Sequence, residues 1–156
     1  MIVTKISLTN FRTYGSLVFE PSPRVNVIQG PNGCGKTNLA ESIHYLSLSK
    51  SWRTNEIEDL IEFGKETALI EARIDNDGSS KTISISLSPK GKRIAINGKP
   101  AKRLSELSKC INVLLFSPED VSLFKGSPGA RRNFLDVNLS KSSFDYLSLY
   151  GRFTRL

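Results

Sequence analysis

Apolar and polar positions follow different periods in different parts of this chain, and each period predicts an element. Ile2, Ile6 and Leu8 lie on one face of an opening strand with Lys5 apart from them, and residues 17–20 resume after a turn marked by Tyr14 and Gly15. A starting hairpin is expected. Pro21 and Pro23 bracket a turn, after which Val25, Val27 and Ile28 form a short apolar run that stops at Gly30 and reads as a buried strand. From Thr37 the spacing becomes helical, with Leu39, Ile43 and Leu46 on one stripe and Asn38, Glu41 and Ser42 away from it. A polar linker spans 47–55.

Ile70, Ala72 and Ile74 then alternate with Leu69, Glu71 and Arg73, and Ile83, Ile85 and Leu87 alternate with Ser84, Ser86 and Ser88. Two half-buried antiparallel strands follow from this, joined at 75–80, where Asp75, Asp77 and Gly78 read as a hairpin turn too short for a calcium loop. A turn at 90–92 leads into a third strand at 93–96, closed by Asn97 and Gly98, so the middle third is a β meander. Residues 111–116, apolar apart from Asn112, form a second apolar run. Pro118 suits the first turn of a short helix carrying Glu119 and Asp120 near its positive end, and Ser127 with Pro128 opens a longer helix through Arg131, Phe134, Leu135 and Leu139. The fold class expected is α/β (α+β), with no internal repeat.

One motif adds chemistry to this outline. Gly30, Pro31, Asn32, Gly33, Cys34, Gly35, Lys36 and Thr37 match G-x-x-x-x-G-K-[ST] without a gap. Glycines let the backbone turn its N–H groups onto phosphate, and the helix that begins here adds its partial positive end. Lys36 supplies a flexible charge for the β and γ phosphates of ATP, and the Thr37 hydroxyl is a ligand for the Mg²⁺ that bridges them. A random chain of this length shows the pattern well under about 1% of the time. Cys34 sits among these inward-facing amides beside Lys36, a setting that lowers a thiol pKa, although an inert small filler is the alternative.

Composition narrows the setting. The 156 residues are 38% hydrophobic, enough for one ordinary core, and contain no run of eighteen apolar residues and no signal-peptide pattern at the N-terminus. A soluble cytoplasmic protein with no membrane association is expected, and two distant cysteines, Cys34 and Cys110, agree with a reducing compartment. The formal charge is +7, from 22 Lys plus Arg against 15 Asp plus Glu, which makes a polyanionic partner plausible without proving one. Lys90, Lys92, Arg93, Lys99, Lys102 and Arg103 stand together with no acid among them. Without aromatic residues for base stacking, such a strip would meet the DNA backbone and not its sequence. A solvated face is the competing reading. His44 reads as an ordinary helix residue.

Asn10, Phe11, Arg12 and Tyr14, together with PEDVSLFKGSPGARRNFLD from Pro118 to Asp136 and the P-loop spacing, resemble the RecF family of bacterial DNA-repair ATPases over essentially the whole chain. Phe124 departs from the usual aliphatic residue and reads as a volume adjustment. The resemblance implies the N-terminal part of an ABC-type ATPase head similar to that of structural-maintenance-of-chromosomes proteins. Residues 1–143 would form that lobe and 144–156 the start of a helical arm. It further implies two ATP molecules sandwiched in a homodimer, DNA duplexes with gaps or junctions as partner, and RecO and RecR as collaborators in loading RecA.

By the same resemblance Lys36 and Thr37 contact phosphate and Mg²⁺, and Arg12 and Arg53 lie near the nucleotide. A solvated loop arginine is the alternative for Arg53. Related heads place a glutamine after the strand ending at Phe116; Glu119 or Asp120 stands there as a metal ligand or, more simply, as a helix-dipole partner. Arg131 and Arg132 face DNA or nucleotide, or Arg132 pairs with Asp136 along the helix. The strand-borne acids and serine-glycine signature of ABC-type hydrolysis do not occur before Leu156, so these residues are expected to bind nucleotide better than they hydrolyse it. A small-molecule kinase and a DNA-binding scaffold with a lapsed P-loop are the competing classes. The meander after the P-loop helix argues against the first, and intact Lys36 and Thr37 against the second.

Overall fold

In the computed structural model, which describes residues 1–76, 78–117 and 127–153, the alternating segments pair into antiparallel strands. These are β1 (Ile2–Phe11), β2 (Tyr14–Phe19), β3 (Ala68–Asn76), β4 (Ser79–Ser88), β5 (Gly91–Ile96) and the two-residue β6 (Lys99–Pro100). They form one sheet in the order β2-β1-β3-β4-β5-β6. Because side chains alternate across a strand, the register decides which residues share a face. Ile6 opposes Ala72 and Leu8 opposes Ile70; Ile70 in turn opposes Ile85 and Ala72 opposes Ile83. All six are buried and make one wall of the core. The other face carries Ser7, Glu71, Ser84 and Ser86, which are in register with one another's strands.

Helix α1 (Lys36–Leu48) packs on the apolar face through Leu39, Tyr45 and Leu46. It ends at Ser49, whose backbone is left-handed (φ 53°) and whose N–H closes on the Tyr45 carbonyl at 2.7 Å. The helix therefore takes in Ser47 and Leu48, both buried, and the linker expected from 47 starts later. Burial of Glu41 and Ser42, both 0% exposed, reverses the expectation that they lie away from the apolar stripe. Ser42 is accommodated by donating its hydroxyl to the Leu39 carbonyl at 2.7 Å. A short helix, α2 (Ser105–Ser108), seals the end of the core with Leu107, Cys110 and Ile111.

Other boundaries moved as well. Tyr14 and Gly15 belong to β2, and the hairpin turns at Arg12 and Thr13, because Phe11 pairs directly with Tyr14. The meander turn at Asn97 and Gly98 is as expected, with both residues at positive φ (51° and 74°). The 75–80 turn is held by the Gly78 N–H donating to Asp75 Oδ1 at 3.1 Å. At the C-terminal side α3 (Pro128–Ser142) and α4 (Phe144–Phe153) follow one another. Asp136 accepts the Tyr146 hydroxyl at 2.5 Å, tying α3 to α4.

The two apolar segments, 25–28 with Asn26 inside it and 111–116 with Asn112 inside it, are not strands here. Val25 and Val27 are 76% and 79% exposed in a segment without regular secondary structure, and Leu114 and Phe116 are 83% and 82% exposed. A run apolar on both faces is buried only if neighbours pair on both sides and layers cover both faces, and no described strand pairs with either run. No described helix is long and apolar enough to cross a membrane.

Candidate phosphate-binding site

The P-loop lies between segment 25–28 and α1, and it is shaped by its glycines. Gly33 and Gly35 have φ of 85° and 98°, which residues with a Cβ rarely adopt. At Gly35 space is a second constraint: a Cβ would lie 2.8 Å from the Tyr14 hydroxyl oxygen and 3.2 Å from Thr13 Oγ1. The Tyr14 hydroxyl donates to the Gly35 carbonyl at 3.1 Å, so the β1–β2 hairpin seats the loop directly. Burial, and then the neighbouring Cys34, pushes the Tyr14 pKa up and keeps this donor protonated.

Lys36 curls back over the loop and donates from Nζ to the carbonyls of Gly30 and Pro31, each at 2.7 Å, with Cys34 Sγ 3.8 Å away. Helix α1 starts from Gly35 with no side-chain cap and no acid in its first turn. Its leading N–H groups and positive end therefore face the loop, and nothing on the helix competes with an incoming anion. Thr37 is exposed on that turn. These residues fit a polyphosphate and its cation: a glycine cradle that tolerates no Cβ at position 35, amide donors, one lysine and one hydroxyl.

Arg12 and Arg53, which the family resemblance associates with the nucleotide, both bond to Glu41 of α1, a residue expected to lie away from the apolar stripe. Arg12 donates from Nε and Nη2 to the two Glu41 carboxylate oxygens at 2.9 and 2.8 Å, and from Nη1 to the Asp59 carbonyl at 2.7 Å. Arg53 donates from Nη1 to Glu41 Oε2 at 3.0 Å and to Asn38 Oδ1 at 2.7 Å. The Ser51 hydroxyl donates to Glu41 Oε1 at 2.5 Å. Burial pushes the Glu41 carboxyl up. The Arg12 and Ser51 hydrogen bonds and the charges of Arg12 and Arg53 more than reverse this, so its pKa falls below the ordinary range.

Arg12 reaches inward because its backbone is left-handed (φ 54°), as is that of Asn10 (φ 50°), so the chain twists on either side of the fully buried Phe11. One signal for Glu41 was available: it is the sole acid between Lys36 and Asn55, with an arginine inside that interval.

The basic strip divides between two faces of the sheet. Lys92 opposes Leu87, whose side chain is buried, and Arg93 opposes the exposed Ser86. Lys92 therefore points toward α1, where it donates to the Ser49 carbonyl at the helix end and lies 5.7 Å from the Tyr45 ring centre. Burial, and then the charge of Lys50, lowers its pKa. The Lys92 ammonium is thus engaged at the end of α1, although the residue also borders the concavity formed by its neighbours. Arg93, Lys102 and Arg103 line an open concavity of about 650 Å³ with Ser84 and Ser86, completed by Lys92 and the apolar Ile94, Ala95, Pro100, Ala101 and Leu104. Lys90 is exposed in the turn before β5 and Lys99 at the start of β6. His44 is buried edge-on against the Trp52 ring, 5.2 Å between centres, as an ordinary packing residue. Glu119 and Asp120, and the short helix expected to carry them, lie outside the described residues.

Comparison with known proteins places the fold in a family. A family model described as the RecF/RecN/SMC N terminal domain matches residues 2–140. A DNA replication and repair protein RecF from Listeria monocytogenes is 42% identical over all 156 residues, which span 42% of its length. The solved structure of a recombination mediator protein RecF with ATP, from the RecFOR pathway, superimposes with a TM-score of 0.89 at 30% identity, over 98% of this chain and 43% of that one. An SMC head domain from Thermotoga maritima matches with a TM-score of 0.59 at 28% identity, over 69% of this chain and 41% of that one. The mixed α/β fold with its antiparallel sheet is the N-terminal lobe of the RecF/SMC ATPase head, and the chain belongs to the RecF/RecN/SMC N-terminal domain family.

Proposed function

We propose that this chain binds ATP with Mg²⁺ at residues 30–37 and that the nucleotide controls its attachment to duplex DNA during cytoplasmic replication and repair. The carrying observation is the loop itself: an uncapped helix start, a glycine at position 35 with no room for a side chain, and Lys36 folded over the carbonyls of Gly30 and Pro31. Bound Mg²⁺ would neutralise the β and γ phosphate oxygens. The residues of this chain do the rest: loop amides and Lys36 hold the phosphates, and Thr37 presents its hydroxyl to the cation.

Homodimerisation around two nucleotides, contact with gaps or junctions in DNA, and collaboration with RecO and RecR in loading RecA are part of the same reading. It is supported by the similarity to RecF proteins and by the name of the RecFOR pathway attached to one of them. The surface assigned to duplex DNA is the concavity of Arg93, Lys102 and Arg103, together with the exposed Lys90 in the turn before β5 and the exposed Lys99 at the start of β6. Its arginine and lysine side chains suit phosphate, the rest of its lining is largely apolar, and it offers no aromatic ring to a base.

Fluorescent ATP titration, sedimentation and duplex binding test this together, with Lys36→Ala as the comparison. ATP-dependent association and duplex binding, both lost in Lys36→Ala, are the expected results. Absence of ATP binding by the unsubstituted protein would overturn the reading.

A further inference from the structure

Glu41 is completely buried, on the helix that leaves the P-loop, and accepts from three side chains. The two arginines it gathers are engaged differently. Arg12 has all three guanidinium nitrogens bonded, to Glu41 and the Asp59 carbonyl, and its side chain is 16% exposed. Arg53 is held at one nitrogen, Nη1, and its side chain is 40% exposed. That nitrogen also touches Asn38, the residue after Thr37, which fixes Arg53 at the first turn of α1. The loop bearing Arg53 is tied to the same carboxylate a second time. Ser51 Oγ donates to Glu41 while accepting the backbone N–H groups of Arg53 at 2.9 Å and Thr54 at 3.2 Å.

We infer that Glu41 is a positioning residue for the nucleotide site. Its carboxylate, with Ser51 and Asn38, holds the Arg53 guanidinium at the start of α1 so that the remaining edge faces a phosphate in the loop, and Arg12 serves as the fixed strut of the assembly. The chemistry favours this division. An arginine bonded along one edge keeps two further nitrogens for a phosphate, and a guanidinium already held in place loses less rotamer freedom on binding. A carboxylate is needed because a neutral partner would leave two cations facing each other without compensation. The inference rests on the nucleotide reading above.

The test is a double-mutant cycle on Mg-ATP affinity, with thermal melting of each variant. Arg53→Ala is expected to weaken binding about tenfold, the loss of one charge-assisted hydrogen bond. Glu41→Gln should weaken it by a similar factor, and the double variant should be no weaker than Arg53→Ala alone. Ser51→Ala, a milder change that serves if Glu41→Gln does not fold, should show a smaller loss that disappears in the Arg53→Ala background. Losses that multiply would overturn the inference, as would lowered melting temperatures with unchanged ATP affinity. If the unsubstituted protein fails to bind ATP where Lys36→Ala also fails, the nucleotide reading itself falls and this inference with it.

Discussion

The Tyr14 hydroxyl rests on the Gly35 carbonyl at 3.1 Å, so the first hairpin of the sheet forms the floor beneath the phosphate loop. Closeness here leaves position 35 no freedom, since an added Cβ would meet that hydroxyl at 2.8 Å on a backbone with φ of 98°. Gly35→Ala should lower the melting temperature and reduce ATP affinity by more than about tenfold, because both clash and backbone strain act on the loop. Pairing it with Tyr14→Ala should relieve the clash but not the strain, recovering stability in part and affinity little. Full recovery of affinity in the pair would contradict this account.

The buried carboxylate predicts a pH dependence with a definite sign. Glu41 has a folded pKa below its ordinary 4.5, so its stabilisation is fully present above that value and is lost as pH falls through the lowered folded pKa. Urea unfolding should show Glu41→Ala destabilised by about 3 kcal/mol at pH 7, at the low end for a broken buried pair because Arg53 can turn to solvent. The gap between the original protein and the variant should narrow as pH drops below 4.5. A gap that is constant or widens on acidification would show that the carboxylate is not held ionised.

Lys92 and Arg93 are neighbours in sequence on opposite faces of β5, which predicts different phenotypes. Lys92→Ala should cost stability through the lost contact at the end of α1 and lower duplex affinity per folded molecule less than Arg93→Ala does. Arg93→Ala and Lys102→Ala should leave the melting temperature alone, weaken duplex binding uniformly across sequences, and each lower the salt slope by about one. Equal effects of Lys92 and Arg93 on DNA affinity would refute the assignment of faces.

Cys34 is exposed in the loop, 3.8 Å from Lys36 Nζ. A phosphate bound in that loop would cover the thiol and draw Lys36 away from it. Iodoacetamide labelling of Cys34 should therefore slow in Mg-ATP, whereas Cys110, buried beneath α2, should label slowly in both conditions. Identical Cys34 rates with and without Mg-ATP would count against nucleotide binding at this loop.

What the sequence determined is what depends on near neighbours. A fixed spacing of glycines, lysine and threonine specifies a glycine loop opening a helix because the required φ angles and the helix start are properties of eight consecutive residues. Period-two alternation at 69–74 and 83–87 specifies strands for the same local reason, and Asn97 with Gly98 specifies their turn.

Tertiary structure alone decided the rest, because burial and pairing are settled by residues distant in the chain. Lys92 looked like one of six equivalent surface cations until the register set it opposite Leu87 and under Ser49. Glu41 looked solvent-facing until Arg12, 29 residues earlier, and Arg53, 12 residues later, closed on it and made its burial tolerable. The runs at 25–28 and 111–116 are apolar enough for interior strands, yet hydrophobicity cannot supply the pairing edge, and among the described residues none does. The loop was legible as a glycine turn that opens a helix; the hairpin floor beneath it and the carboxylate behind its arginines were products of the fold.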